Sequence, residues 1–160
     1  MKALLRLLTL VTALLLLAGC SEPEYPRDPD DTLLRAMDGG LTVGVSVHPP
    51  HIDISDEGEV TGTEAEILTG YAESIGAEIE WVEGAESELM EKIKLGELDV
   101  VAGGLTAKSP WTTHAAMTRP YGKAAGPDGK EQKLVFATRL GENALLSSLE
   151  RHLIEEGLKP

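Results

Sequence analysis

Residues 32–160 are predicted to form an α/β fold, a mostly parallel sheet with helices on both faces. Three observations carry this. Short β-branched apolar runs such as "LTVGVSV" (41–47) read as buried strands. Amphipathic stretches of about ten to fifteen residues lie between them at helical spacing. The alternation of the two is the pattern of right-handed βαβ units feeding a parallel sheet.

The elements follow in order. "TLLRAMDGG" (32–40) reads as a short helix, with Asp31 at its N-cap and Gly39-Gly40 as its stop. The strand 41–47 is ended by His48-Pro49-Pro50. "EAEILTGYAESIGA" (64–77) sets Ile67, Leu68, Tyr71 and Ile75 on one helical face and stops at Gly76. "EIEWV" (78–82) alternates as a strand, and "ESELMEKIKLGE" (86–97) is a second amphipathic helix ending at Gly96. "LDVVAGG" (98–104) is a second buried strand, "KLVFATR" (133–139) a fourth strand, and "ENALLSSLERHLIEEG" (142–157) a terminal helix. Residues 123–131, "KAAGPDGKE", read as a polar connector.

Residues 1–19 are expected to be an export signal outside the fold. Lys2 and Arg6 form a positive start, an apolar stretch runs from Leu7 to Leu17, and small residues lead into Cys20. This layout resembles the lipobox of bacterial lipoproteins, which implies a lipidated Cys20 as the mature N-terminus and a membrane anchor. Cys20 is the single cysteine of the sequence, so it has no partner for an internal disulfide. "SEPEYPRDPDD" (21–31) holds three prolines and five acids and is expected to be a semi-extended tether, so the span 20–31 links anchor to domain. The net charge of −13 argues against nucleic acid as a partner. The span 32–160 suits one domain.

Ligands on parallel sheets bind beyond the carboxyl ends of the strands. Two loops leave such ends here, 48–64 and "GGLTAKSPWTTHAAMTRPYG" (103–122). In the second, Gly103 and Gly104 permit close backbone approach and Thr106 offers a hydroxyl. Ser109-Pro110 fits an N-cap and first-turn pair, so that free N–H groups and Lys108 converge on an anion. Trp111 either packs in the core or faces a ligand as an aromatic platform. His48, His51 and His114 show no metal-ligand spacing, so no metal is expected. Asp53, Ser55, Glu57, Gly58 and Glu64 fall in the order of a calcium loop, yet a turn between strand and helix explains them equally well. No phosphate-binding GxGxxG and no nucleophile–base arrangement is present, so no cofactor and no enzyme activity are expected.

The order of these motifs resembles a family. "LTVGVSVHPPHI", "GEVTGTEAEILTGYAESIGAEIEWV", "LMEKIKLGELDVVAGGLT" and "TRPYG" are similar to the first lobe of extracellular solute-binding proteins of the amino-acid-binding kind, the type II periplasmic binding proteins. "KLVFATRLGENALLSSLERHLIEEG" resembles that family's closing strand and helix. The resemblance implies an extracytoplasmic protein, in the periplasm or at the cell surface, that binds a small polar or amino-acid-like solute beside a membrane transporter. It places His51 where the family has an aromatic lining the cleft. It sets Glu64 and Glu66 in a Gly-x-acid-x-acid pattern, with Glu64 orienting the loop or facing the cleft.

Two departures qualify it. The family inserts a second lobe after the Pro-Tyr step, whereas only a short connector follows Gly122 here. The family's carboxylate-clamping arginine, after a Thr-x-x spacing, falls at Trp111, with Lys108 at the threonine position. The expected ligand contacts are therefore His51, Glu64, Gly103, Gly104, Thr106, Lys108 and Trp111, in a one-sided groove that a second copy or a membrane partner would complete. A ligand-free docking module is the alternative.

Overall fold

The computed structural model describes residues 28–126 and 128–159. The expected signal, Cys20 and residues 20–27 of the expected tether lie outside the described residues. The chain runs α1 (Thr32–Gly39), β1 (Leu41–Val45), β2 (Asp53–Ile54), β3 (Val60–Thr61), α2 (Thr63–Ile75), β4 (Ile79–Glu83), α3 (Glu86–Leu95) and β5 (Val100–Ala102). A 3-10 turn (Pro110–Thr113), β6 (Ala115–Met117), β7 (Gly122–Ala125), β8 (Glu131–Leu134), β9 (Ala137–Arg139) and α4 (Asn143–Glu155) follow.

The central sheet has the order β4-β1-β5-β9-β6. β1 lies parallel to both β4 and β5, while β9 runs against β5 and β6. Four of the five strands thus share one direction, the mostly parallel sheet expected.

Strand alternation divides the core between the two faces. Leu41, Val43, Val45, Val100 and Ala102 pack with Leu68, Tyr71, Leu149 and Leu153 of α2 and α4. Val101 points the other way, into a cluster with Leu89, Met90 and Ile93 of α3. Each fully buried Leu or Ile contributes about 1.5–3 kcal/mol relative to exposure. Gly44 in β1 lets α3 approach, because a Cβ there would stand 2.7 Å from Leu98 Cδ1 and 3.0 Å from Leu89 Cδ2.

Helix ends behave largely as their residues dictate. Gly76 and Gly96 close α2 and α3 in the left-handed conformation, at φ 72° and 78°. Asp31 occupies the N-cap position of α1 but makes no side-chain cap bond. Buried Glu142 takes that role from the far end of the chain, accepting the backbone N–H groups of Asp30 and Thr32. Residues 28–31 thereby sit against the lobe, with Asp30 also paired to Arg139.

Three expectations are corrected. The strand expected over 133–139 is two strands, because the chain changes partners at Val135-Phe136. Val135 N–H donates to the Leu105 carbonyl and Phe136 N–H to Thr118 Oγ1, which ends pairing with β7 before pairing with β5 and β6 begins. The polar connector 123–131 is mostly the β7–β8 hairpin, with Lys123 opposite Lys133 and Ala125 opposite Glu131. The helix start at Ser109-Pro110 is a single 3-10 turn, and Ser109 makes no side-chain cap bond.

Candidate functional site

Parallel neighbours β1 and β5 end side by side, and their outgoing segments are held together by Ser46 N–H donating to the Ala102 carbonyl. Gly103 and Gly104 follow at φ 144° and 70°. A Cβ on Gly103 would stand 2.7 Å from the Ser46 carbonyl oxygen, and one on Gly104 would stand 2.6 Å from His48 Cδ2. The glycines are required by the chain's own packing.

Under this turn lies Glu64, fully buried in the first turn of α2. Its carboxylate accepts the N–H of Gly103 at 2.7 Å and that of Gly104 at 3.1 Å. The hydroxyl of buried Tyr121 donates to it as well. Burial, then the Glu64 charge and this hydrogen bond, push the Tyr121 phenol far above its ordinary range, so it remains a donor. The opening N–H groups of α2 are also engaged, Thr63 with the Pro50 carbonyl and Glu64 with that of His51. The amides of Gly103, Gly104, Thr63 and Glu64 are therefore all engaged from within the chain.

Above the turn a cleft of about 320 Å³ opens. One wall is His48, Gly104 and Thr106; the other is the hairpin, Ala124 to Gly126 with Gln132 and Leu134. The walls are pinned together where Thr106 bridges to Leu134 and Ala107 N–H donates to the Lys133 carbonyl at 2.8 Å. The polar groups it presents are an imidazole, a hydroxyl and a carboxamide, all neutral or weakly basic.

The structure brings some of the expected residues together and separates others. Gly104 and Thr106 line the cleft, and Gly103 and Glu64 lie beneath it. His51 stands behind His48, its ring stacked on that imidazole at 5.8 Å and its Nδ1 3.3 Å from Thr63 Oγ1. Lys108 is exposed, with its charge near Asp128 at the hairpin tip. Trp111 turns away: it packs beside the α3 cluster, and its indole N–H donates to Glu86. Its ring also meets His114 edge-on at 5.2 Å, and His114 Nε2 lies 3.0 Å from Glu91. Of the two readings left open for Trp111, packing is the one the geometry matches.

Sequence reasoning missed Gln132 and the hairpin residues, which carried no signal beyond a polar connector. The segment 53–61 forms the β2–β3 hairpin, with Ser55 Oγ accepting the N–H groups of Glu57 and Glu59. Among the described residues, no group of three or more His, Cys, Asp or Glu side chains is placed to hold a metal ion.

The model of the bacterial extracellular solute-binding proteins, family 3, matches residues 41–149, more than half of the chain. The chain belongs to that family. Among its relatives, the chain is 32% identical over 114 residues to the membrane-bound lytic murein transglycosylase F of Maricaulis maris, covering 70% of this chain and 25% of that protein. It is 26% identical over 81 residues to a probable histidine-binding protein of Campylobacter jejuni, covering 51% of this chain and 32% of that one. The chain thus spans a quarter to a third of the length of these curated relatives.

Among solved structures, the arginine-bound form of domain 1 from TmArgBP matches at 25% identity and a TM-score of 0.64, covering 72% of this chain and 91% of that one. The ancestral amino acid-binding protein AncCDT-1, a precursor of cyclohexadienyl dehydratase, shares the fold at 15% identity and a TM-score of 0.71, covering 79% and 93%. The chain has the architecture of one lobe of such proteins, and its family supports an extracytoplasmic solute-binding role.

Proposed function

We propose that this protein is a membrane-anchored, extracytoplasmic solute-binding protein whose cleft takes one small polar or amino-acid-like solute for a membrane transporter. The observation that carries this is the cleft itself, at the carboxyl ends of β1 and β5, with Thr106 on one wall and Gln132 on the other. A volume of about 320 Å³ is at the small end of ligand pockets, the scale of a single amino acid. The arginine-bound form of domain 1 from TmArgBP supports single-lobe binding, and the probable histidine-binding relative in Campylobacter jejuni supports the solute class.

The β7–β8 hairpin supplies the opposite wall, a role the resemblance gives to the family's second lobe, so closure is partial and binding is expected to be weak. A second copy or the transporter would complete the wall. The lipid on Cys20 would hold the protein at the periplasmic or outer cell surface, with residues 20–31 as the spacer. The role is non-catalytic and needs no cofactor.

One set of observations favours a second reading, a docking module that has lost its ligand. The amides of Gly103 and Gly104 are already taken by Glu64, and Trp111 faces Glu86. The likeness to part of a membrane-bound murein enzyme supports such a lobe serving within a larger envelope assembly. A thermal-shift screen with the amino acids at millimolar concentration separates the readings. Stabilisation that Thr106→Ala abolishes supports solute binding; no shift with any solute supports the docking module.

A further inference from the structure

A second concavity, of about 650 Å³, lies between α2 and α4 and shares no lining residue with the cleft. Glu66 and Glu73 border it from α2, and Glu155 and Glu156 from the end of α4; no lysine or arginine lines it. All four glutamates are exposed. Glu66 and Glu73 are two helical turns apart, about 10 Å along the axis. These acids are too dispersed for direct ligation of one metal ion, as no such cluster exists among the described residues.

The floor holds an independent feature. His152 is only 8% exposed, yet it lines the groove, and among the described residues its imidazole makes no hydrogen bond. A Cβ built on Gly70 would stand 3.6 Å from His152 Nε2 and 3.7 Å from Cε1. Gly70 sits inside a helix, where glycine costs about 1 kcal/mol relative to alanine, and its missing side chain leaves this ring edge open to the groove. A neutral imidazole nitrogen accepts a hydrogen bond from an N–H donor. Separated carboxylates around such an acceptor fit an elongated ligand with ammonium groups along its length, one over His152 and others reaching the glutamates.

We propose that the groove between α2 and α4 is a binding site for a linear organic polycation, a free alkyl polyamine. Its recognition is electrostatic at the rim and hydrogen-bonded at the floor, and Gly70 keeps the floor reachable.

Calorimetric titration of the full chain with spermidine in 150 mM salt tests this. Saturable one-to-one binding is expected, weakened at least tenfold by the double variant Glu73→Gln/Glu156→Gln. The control Glu80→Gln/Glu83→Gln removes the same charge on β4 and is expected to leave affinity within about twofold. Gly70→Leu, which fills the space over His152 at a favourable helix position, is expected to abolish binding while unfolding at or above the parent temperature. Thr106→Ala in the cleft is expected to change nothing, so this site and the solute cleft stand or fall separately. Equal weakening by both glutamine pairs, or equal displacement by magnesium at matched ionic strength, would reduce the interaction to counterion atmosphere and overturn the proposal. Binding of trilysine through the same glutamates, ten times tighter than spermidine, would also overturn it in favour of a protein segment.

Discussion

Glu64 and Tyr121, 57 residues apart in sequence, meet in the interior, the phenol donating to a carboxylate that also holds the amides of Gly103 and Gly104. Three segments are joined at that one side chain: the start of α2, the turn after β5, and the entry to the hairpin. A buried carboxylate is tolerable there because donors surround it. The charge beneath the cleft is thus matched by donors from within the chain.

Glu64→Gln puts a carboxamide in the same space, where its NH2 faces backbone donors and one oxygen must serve all of them. Hydrogen bonds to a charged acceptor are worth about 1.5–3 kcal/mol each, so a loss of about 3 kcal/mol is expected. Tyr121→Phe removes one donor and retains the glycine amides, costing about 1–2 kcal/mol. Urea unfolding of both variants checks the order; equal losses would contradict it.

Gly104→Ala combines a positive φ with a Cβ 2.6 Å from His48 Cδ2. The expected cost is at least about 1–2 kcal/mol, with His48 displaced from the cleft wall. Loss of solute-induced stabilisation beyond the fall in the parent melting temperature is the measurement.

Trp111 is held by α3, not by the cleft. Trp111→Ala is expected to lower stability by about 2–3 kcal/mol through lost packing and the freed Glu86, with solute affinity within about twofold. Titration calorimetry alongside urea unfolding distinguishes this from an aromatic platform, whose loss would weaken binding.

The segment entering α1 carries a pH dependence. Burial first, then a hydrogen bond to Glu142 and its charge, push the Asp28 carboxyl up to about 6. Burial also pushes Glu142 upward, but hydrogen bonds from Asp28, Thr32 and Asp30 outweigh it and hold that carboxyl below its ordinary value. A half-buried Asp28 carboxyl raised in this way can donate to Glu142, which two carboxylates could not do. A folded value raised above the ordinary 3.8 means that Asp28 stabilises fully below about pH 4 and that this is lost as pH rises through about 6. Asp28→Asn keeps a donor without the titration, so its stability relative to the parent is expected to rise between pH 4.5 and 7.5. Parallel pH curves of the urea midpoint would contradict this.

The parallel part of the fold was legible because β1, β5, α2 and α3 each bury enough apolar surface to print their period on the sequence. Gly76 and Gly96 marked helix ends for a local steric reason. The β7–β8 hairpin was not legible: its strands are short, rich in Lys, Gln and Ala, and paired through backbone groups that no composition reveals. Of the candidate cleft, Gly104 and Thr106 were legible as the exit from a buried strand. Glu64 was found too, but its reach to the glycine amides depends on a partner some 40 positions away in sequence. Trp111 shows the same limit, since its direction is set by Glu86 on a different helix, 25 positions away in sequence.

The central claim is that a small polar solute enters between Thr106 and Gln132. Amide chemical-shift mapping of the protein titrated with each amino acid tests it most directly. The account predicts saturable shifts with at least one of them, concentrated at His48, Gly104, Thr106, Ala124 to Gly126 and Gln132, and absent in Thr106→Ala. No saturable shift with any amino acid, or shifts confined to residues outside the cleft, would contradict it.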